Sequence, residues 1–183
     1  MVSEYLKQHT ANLHDAAEKL FNSDKIFNKT FNFDDYKKII RNNYLMLLNS
    51  EKQIFESLSV NFSKQLQLEQ RKKISFIEKD LLSLGLEAEQ ALHKVEISNQ
   101  YEALGMLYVI EGSTLGGNVI AKQLSKTEGF EDVTFNFFGC YLENTGMMWK
   151  NFKEFLDSEV KQENYNEVLT GAKKLYTLLL KMD

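Results

Sequence analysis

Apolar residues recur along most of the chain at the three- and four-residue spacing that marks one face of a helix. From about Ser3 to Phe21, Leu6, Leu13, Ala17 and Leu20 trace a first stripe, with Ser3 placed as the N-cap. Asn22–Phe33 mixes Asn, Ser, Asp and Phe without period and is expected to be an ordered connection. A second helix is expected to start at a cap on Asp34 or Asp35. It carries Tyr36, Ile39, Ile40, Tyr44, Leu47, Leu48, Ile54, Phe55 and Leu58 on a broad stripe. Lys64–Leu84 forms a third segment, stopped by Gly85. Gln100–Ser125 is apolar on most sides and contains Gly105, Gly112, Gly116 and Gly117. The stretch Gly129–Gly139 is aromatic, bounded by glycines, and predicted to be a packed loop. Two further helices follow. Cys140–Val160 places Trp149, Phe152, Phe155 and Leu156 on one face, and Tyr165–Met182 repeats the pattern with Val168, Leu169, Ala172, Leu175, Tyr176 and Leu179. With no repeat, low-complexity tract or interdomain linker, residues 1–183 are expected to form a single all-α domain of roughly six to eight helices.

Composition narrows this further. The absence of proline suits a chain that is helical nearly throughout, since proline is the strongest helix breaker. A net charge of −4 gives no general attraction for nucleic acid. The apolar run Ala103–Ile110 ends at Glu111, far short of the ~20 residues a membrane span requires. The N-terminal MVSEYLKQH lacks the apolar stretch of a signal peptide, so a cytoplasmic protein is expected. One cysteine, Cys140, excludes an internal disulfide and a thiolate cluster, and it is expected to be a small packed residue rather than a nucleophile.

The usual catalytic motifs are missing. There is no H-E-x-x-H, and no glutamate stands three residues before a histidine, which disfavours a ferritin-like di-iron site. Neither a phosphate-binding loop nor a dinucleotide fingerprint occurs. Gly112–Gly116 lies within a predicted helix and is not a nucleophile elbow.

Two patterns remain. His14 and Glu18 are four residues apart and share a helix face. A metal-ligating imidazole usually gives its other ring nitrogen to a carboxylate, and this pair meets that need. An ordinary surface pair has the same spacing. The second pattern is EGSTLGGN, Glu111–Asn118. Each glycine inside a helix costs ~1 kcal/mol relative to alanine. Gly112 and Gly116 share a face, with Gly117 beside them, so the bare surface admits either a neighbouring helix or a flat ligand. His9 and His93 are expected to be surface or packing residues.

LKQHTANLHDAAEKLF (Leu6–Phe21) followed by LGMLYVIEGSTLGGNVIAKQL (Leu104–Leu124) resembles the heme oxygenase family, in particular its bacterial, biliverdin-producing and phytochrome-associated members. The later WKNF, Trp149–Phe152, agrees. The resemblance implies a heme oxygenase-like helical bundle in which His14 is the proximal iron ligand and Glu18 holds its far nitrogen. It assigns Gly112, Gly116 and Gly117 to a distal helix that bends over the heme and leaves room for O2. Lys7 and Lys150 match positions that meet the heme propionates. Ser113 stands where mammalian-type members carry an aspartate that orders water, and neither Ser113 nor Asn118 supplies a charge. The implied activity is O2-dependent cleavage of heme to biliverdin, CO and Fe²⁺, with heme as both cofactor and substrate. The chain has no flavin fingerprint, so electrons would come from an external donor: a ferredoxin, a flavodoxin or a flavin reductase. The alternative is a heme carrier or sensor without turnover. A heme-free, thiaminase-like relative would have only Cys140 as its nucleophile.

Overall fold

A computed structural model describes residues 1–91 and 94–182, so the expectation for His93 lies outside the described residues. Among these residues the chain forms eight α-helices and no strand: α1 (Val2–Leu20), α2 (Ser23–Phe27), α3 (Phe33–Glu56), α4 (Val60–Leu66), α5 (Ile74–Ser83), α6 (Gln100–Leu124), α7 (Thr145–Glu159) and α8 (Tyr165–Leu180). None of them is long and apolar enough to cross a membrane. The fold is all-α, as its periodicity requires.

Several local expectations are corrected. Ser3 does not cap α1 but lies inside it. Its backbone N–H and its hydroxyl both donate to Asp157 of α7, at 2.8 and 2.6 Å, tying the start of α1 to that helix. The connection after α1 contains the short helix α2, which forms because Ile26 is buried and Asn22 takes a left-handed turn at φ 52°. The cap of α3 is Asn32 rather than Asp34 or Asp35. Asn32 Oδ1 accepts from the Asp35 N–H and the Asp35 carboxylate accepts from the Asn32 N–H, a reciprocal capping box. The third segment is broken in two. Gln67, at φ 51°, ends α4, and a 3₁₀ turn (Leu68–Arg71) redirects the chain before α5. That break carries Arg71 and Lys73 into the interior. Gly85, at φ 65°, closes α5 where the sequence places a stop. Cys140 precedes α7 rather than opening it, in a turn before the 3₁₀ segment Leu142–Asn144.

The pairing of α6 with α8 is the most extensive in the molecule, and α1 lies along α8 while α3 and α7 flank α6. Two glycines allow the backbones to meet. A Cβ at Gly105 would stand 1.8 Å from the Val168 carbonyl oxygen, and one at Gly171 would stand 1.9 Å from that of Glu102. The Glu102–Lys174 ion pair, at 2.7 Å, joins the same helices. After α6 the aromatic loop folds back as expected. Buried Asp80 accepts from the backbone N–H groups of Asn136 (2.8 Å) and Phe137 (2.7 Å). Phe130, Phe135 and Phe138 pack around Tyr36.

Candidate functional site

A cavity of ≈ 440 Å³ opens between α1 and α6 and is closed by α3, α7, α8 and the aromatic loop. That volume lies within the usual range for ligand pockets. From α1 come Lys7 and, two turns on along the same face, His14, followed by Ala17 and Glu18. From α6 come Tyr108, Val109, Gly112, Ser113, Gly116, Gly117 and Ile120. Helix α3 adds Ile39, Asn43 and Met46, α7 adds Trp149 and Lys153, α8 adds Tyr176 and Leu179, and the loop adds Phe138. The walls are mostly apolar, and the charged groups belong to α1 and α7.

His14 Nδ1 lies 3.7 Å from Glu18 Oε1, with both side chains more than half exposed. The distance is beyond a hydrogen bond. Asp15 stands beside them, with one donor atom from each of the three residues within 4.8 Å of the others.

The glycines of α6 have separate surroundings. A Cβ at Gly116 would meet nothing within 4 Å, and one at Gly112 would meet the Trp149 ring at 3.5 Å. One at Gly117 would lie 2.3 Å from Phe138 Cδ1. Gly116 therefore keeps cavity space open, whereas Gly117 seats the loop. The Ser113 hydroxyl donates to the Ile110 carbonyl at 2.8 Å. Asn118 is not a lining residue; Asn43 is, and its amide nitrogen donates to the Ile39 carbonyl at 2.9 Å.

Lys150 is not among the residues lining the cavity, whereas Trp149 and Lys153, four apart on α7, are. Lys150 is exposed and lies 3.7 Å from Glu154. Lys153 holds its ammonium 5.5 Å over the Trp149 ring at the cavity edge. His9 lies outside the cavity lining, with Nδ1 2.8 Å from the Tyr5 carbonyl and its ring 4.0 Å from the Tyr5 ring. Burial pushes the Cys140 thiol up to about 11, which suits a packed residue. Burial, with Glu4 adding to it, likewise raises the Tyr108 hydroxyl to about 12, so that it is uncharged at neutral pH.

One constellation has no counterpart among the sequence candidates. Glu111, fully buried beside Gly112, accepts hydrogen bonds from Arg71, Lys73 and Tyr141, which are all buried. Its only trace in the sequence is a charge ending an apolar run.

The geometry is that of an all-α bundle with an imidazole on one helix at a cavity whose other wall is a glycine-bearing helix. Comparison with known sequences supplies the class. The chain belongs to the heme oxygenase family, whose profile, described as Heme oxygenase, matches residues 1–182. A protein of Xanthomonas campestris pv. campestris (strain 8004) described as heme oxygenase is 27% identical over 144 residues, covering 78% of this chain and 85% of the relative. Membership in this family places the chain among oxidoreductases that act on heme, which is both their substrate and their cofactor.

Proposed function

We propose that the chain binds heme in the α1–α6 cavity through His14 and, with O2 and electrons from an external donor, cleaves it to biliverdin, CO and Fe²⁺. The observation that carries this is the placement of His14 and its Glu18 neighbour on one cavity wall while the open face of Gly116 lies on another. The residues present fit the group. An imidazole supplies a nitrogen ligand, mostly apolar walls suit a macrocycle, and two lysines can meet two propionates.

Each residue then has a definable task. Glu18, 3.7 Å from His14 Nδ1, would accept from its N–H on closer approach and so fix the tautomer, with Nε2 as the free lone pair, and the plane of the ring. Lys7 and Lys153, on α1 and α7, hold the propionates and set the in-plane orientation of the substrate. Ile39, Met46, Val109 and Ile120 exclude bulk water. Gly116, which meets nothing within 4 Å, would let the α6 backbone approach a flat ligand, while Gly112 seats the Trp149 ring. Asn43 and Ser113 provide uncharged hydrogen-bonding groups for an ordered water. When bound, heme supplies the iron at which O2 is reduced and the macrocycle that is opened. Electrons arrive from a ferredoxin, a flavodoxin or a flavin reductase.

Heme carriage without turnover is the second reading, favoured by Ser113, whose neutral hydroxyl donates to Ile110. Hemin, a reductant and O2 added to the purified protein separate the two. Loss of the Soret band with the appearance of biliverdin supports the enzyme; a persistent oxygenated heme spectrum supports the carrier.

A further inference from the structure

We propose that Glu111 is a positioning residue for the glycine wall, holding α6 and α7 over the cavity from behind; this rests on the heme-degrading reading above. A helix that presents glycines to a cavity has few side chains on that face to fix its rotation or its bend. Besides its packing on α8, this part of α6 is then set by contacts on the side away from the cavity. There Glu111, immediately before Gly112, is 0% exposed and is not a cavity residue. Its carboxylate takes the Arg71 guanidinium on one oxygen and the Lys73 ammonium on the other. The Tyr141 hydroxyl donates to the same carboxylate at 2.8 and 3.1 Å.

The donors anchor it to different parts of the fold. Arg71 also donates to the Met148 carbonyl of α7 at 3.4 Å, and its guanidinium lies 5.5 Å from the Phe152 ring centroid. Met148 adjoins Trp149, the residue packed on Gly112. The Lys73 ammonium donates to the Arg71 carbonyl at 3.0 Å and to the Tyr141 hydroxyl at 2.8 Å. The Lys73 N–H donates to Glu51 of α3 at 2.6 Å. One carboxylate thereby couples α3, the start of α5, α6 and α7. A buried carboxylate satisfied by two cations and a hydroxyl is rigid, because any displacement leaves charge unpaired in a dry interior.

Tyr141→Phe tests this, because it removes one hydrogen bond from Glu111 and leaves every charge in place. The paired substitution Glu111→Gln with Lys73→Met leaves the buried net charge unchanged and serves if a single charge deletion fails to fold. Trp149 is the sole tryptophan in the chain, so its emission reports the Gly112 contact in the heme-free protein. Expected are a red-shifted emission and at least twofold stronger acrylamide quenching, with native helical circular dichroism. In the heme-loaded protein, hemin affinity stays within about threefold while turnover falls about tenfold and the ratio of biliverdin isomers changes. Wild-type Trp149 emission and quenching in both variants, with an unchanged isomer ratio, would overturn the proposal. If wild-type protein produces no biliverdin, the heme-degrading reading fails, and the tryptophan measurement alone still decides whether Glu111 sets the wall.

Discussion

Phe138 occupies the space a side chain at Gly117 would need, since a Cβ there would stand 2.3 Å from its Cδ1, while the neighbouring Gly116 would meet nothing within 4 Å. Adjacent glycines thus serve different ends, one for packing and one for the cavity. Gly117→Ala should destabilise the heme-free protein by about 1–3 kcal/mol through overpacking. Gly116→Ala should leave its melting temperature unchanged or raise it, because alanine is favoured over glycine in a helix by about 1 kcal/mol. Gly116→Leu should fold, yet lose turnover by filling cavity space. Thermal melts of the three heme-free variants, with turnover assays alongside, check this.

Lys153 lines the cavity and Lys150 does not. Lys153→Ala should weaken hemin binding about three- to tenfold and alter the biliverdin isomer ratio, as expected for loss of one charge-assisted contact. Lys150→Ala should change neither, since its charge faces solvent beside Glu154. Hemin titration followed by product chromatography distinguishes them.

Much of this was legible in the sequence. The stripes of α3 and α8 survive because each buries a continuous face, whereas the spacing of His14 and Glu18 puts them on one helix face without separating a ligand pair from an ordinary surface pair. What escaped has local causes. Gln67 breaks a helix by taking a left-handed conformation that a non-glycine residue does not announce. Asn32 outcompetes Asp34 and Asp35 because Asp35 is needed as the reciprocal partner in the box. Lys153 escaped because the stripe Trp149, Phe152, Phe155 and Leu156 gives the packed face of α7 but not that Trp149 stands at a cavity edge. Nothing in the sequence sets Arg71 and Lys73 apart from the surface cations that most lysines and arginines are. Only the fold brings them to Glu111, across 40 and 38 residues of chain.

Asn43 is the polar side chain that α3 contributes to the cavity. Asn43→Leu should preserve hemin affinity within about twofold and reduce turnover about tenfold by removing a partner for ordered water. Parallel hemin titration and single-turnover assays measure the split.

Cys140 should be inert in the native protein. Its thiol, raised to about 11 by burial, is almost wholly protonated at pH 8. A thiol-specific disulfide reagent should therefore react at least about a hundredfold more slowly with folded than with unfolded chain. The raised value also fixes the sign of the pH effect. The folded state keeps the proton that the unfolded chain releases near 9.0, so this contribution to stability is complete below that pH and is lost as pH climbs towards about 11.

In the proposed function His14 grips the heme iron beneath a wall of α6. Hemin titrated into wild-type and His14→Ala protein, followed by absorption spectra before and after ascorbate in air, tests it most directly. The wild type should give an imidazole-ligated Soret band that ascorbate converts to biliverdin absorption. The variant should bind hemin at least about tenfold more weakly, form no biliverdin, and regain the ligated spectrum when free imidazole is added. A variant with the same spectrum and turnover as the wild type would contradict the assignment.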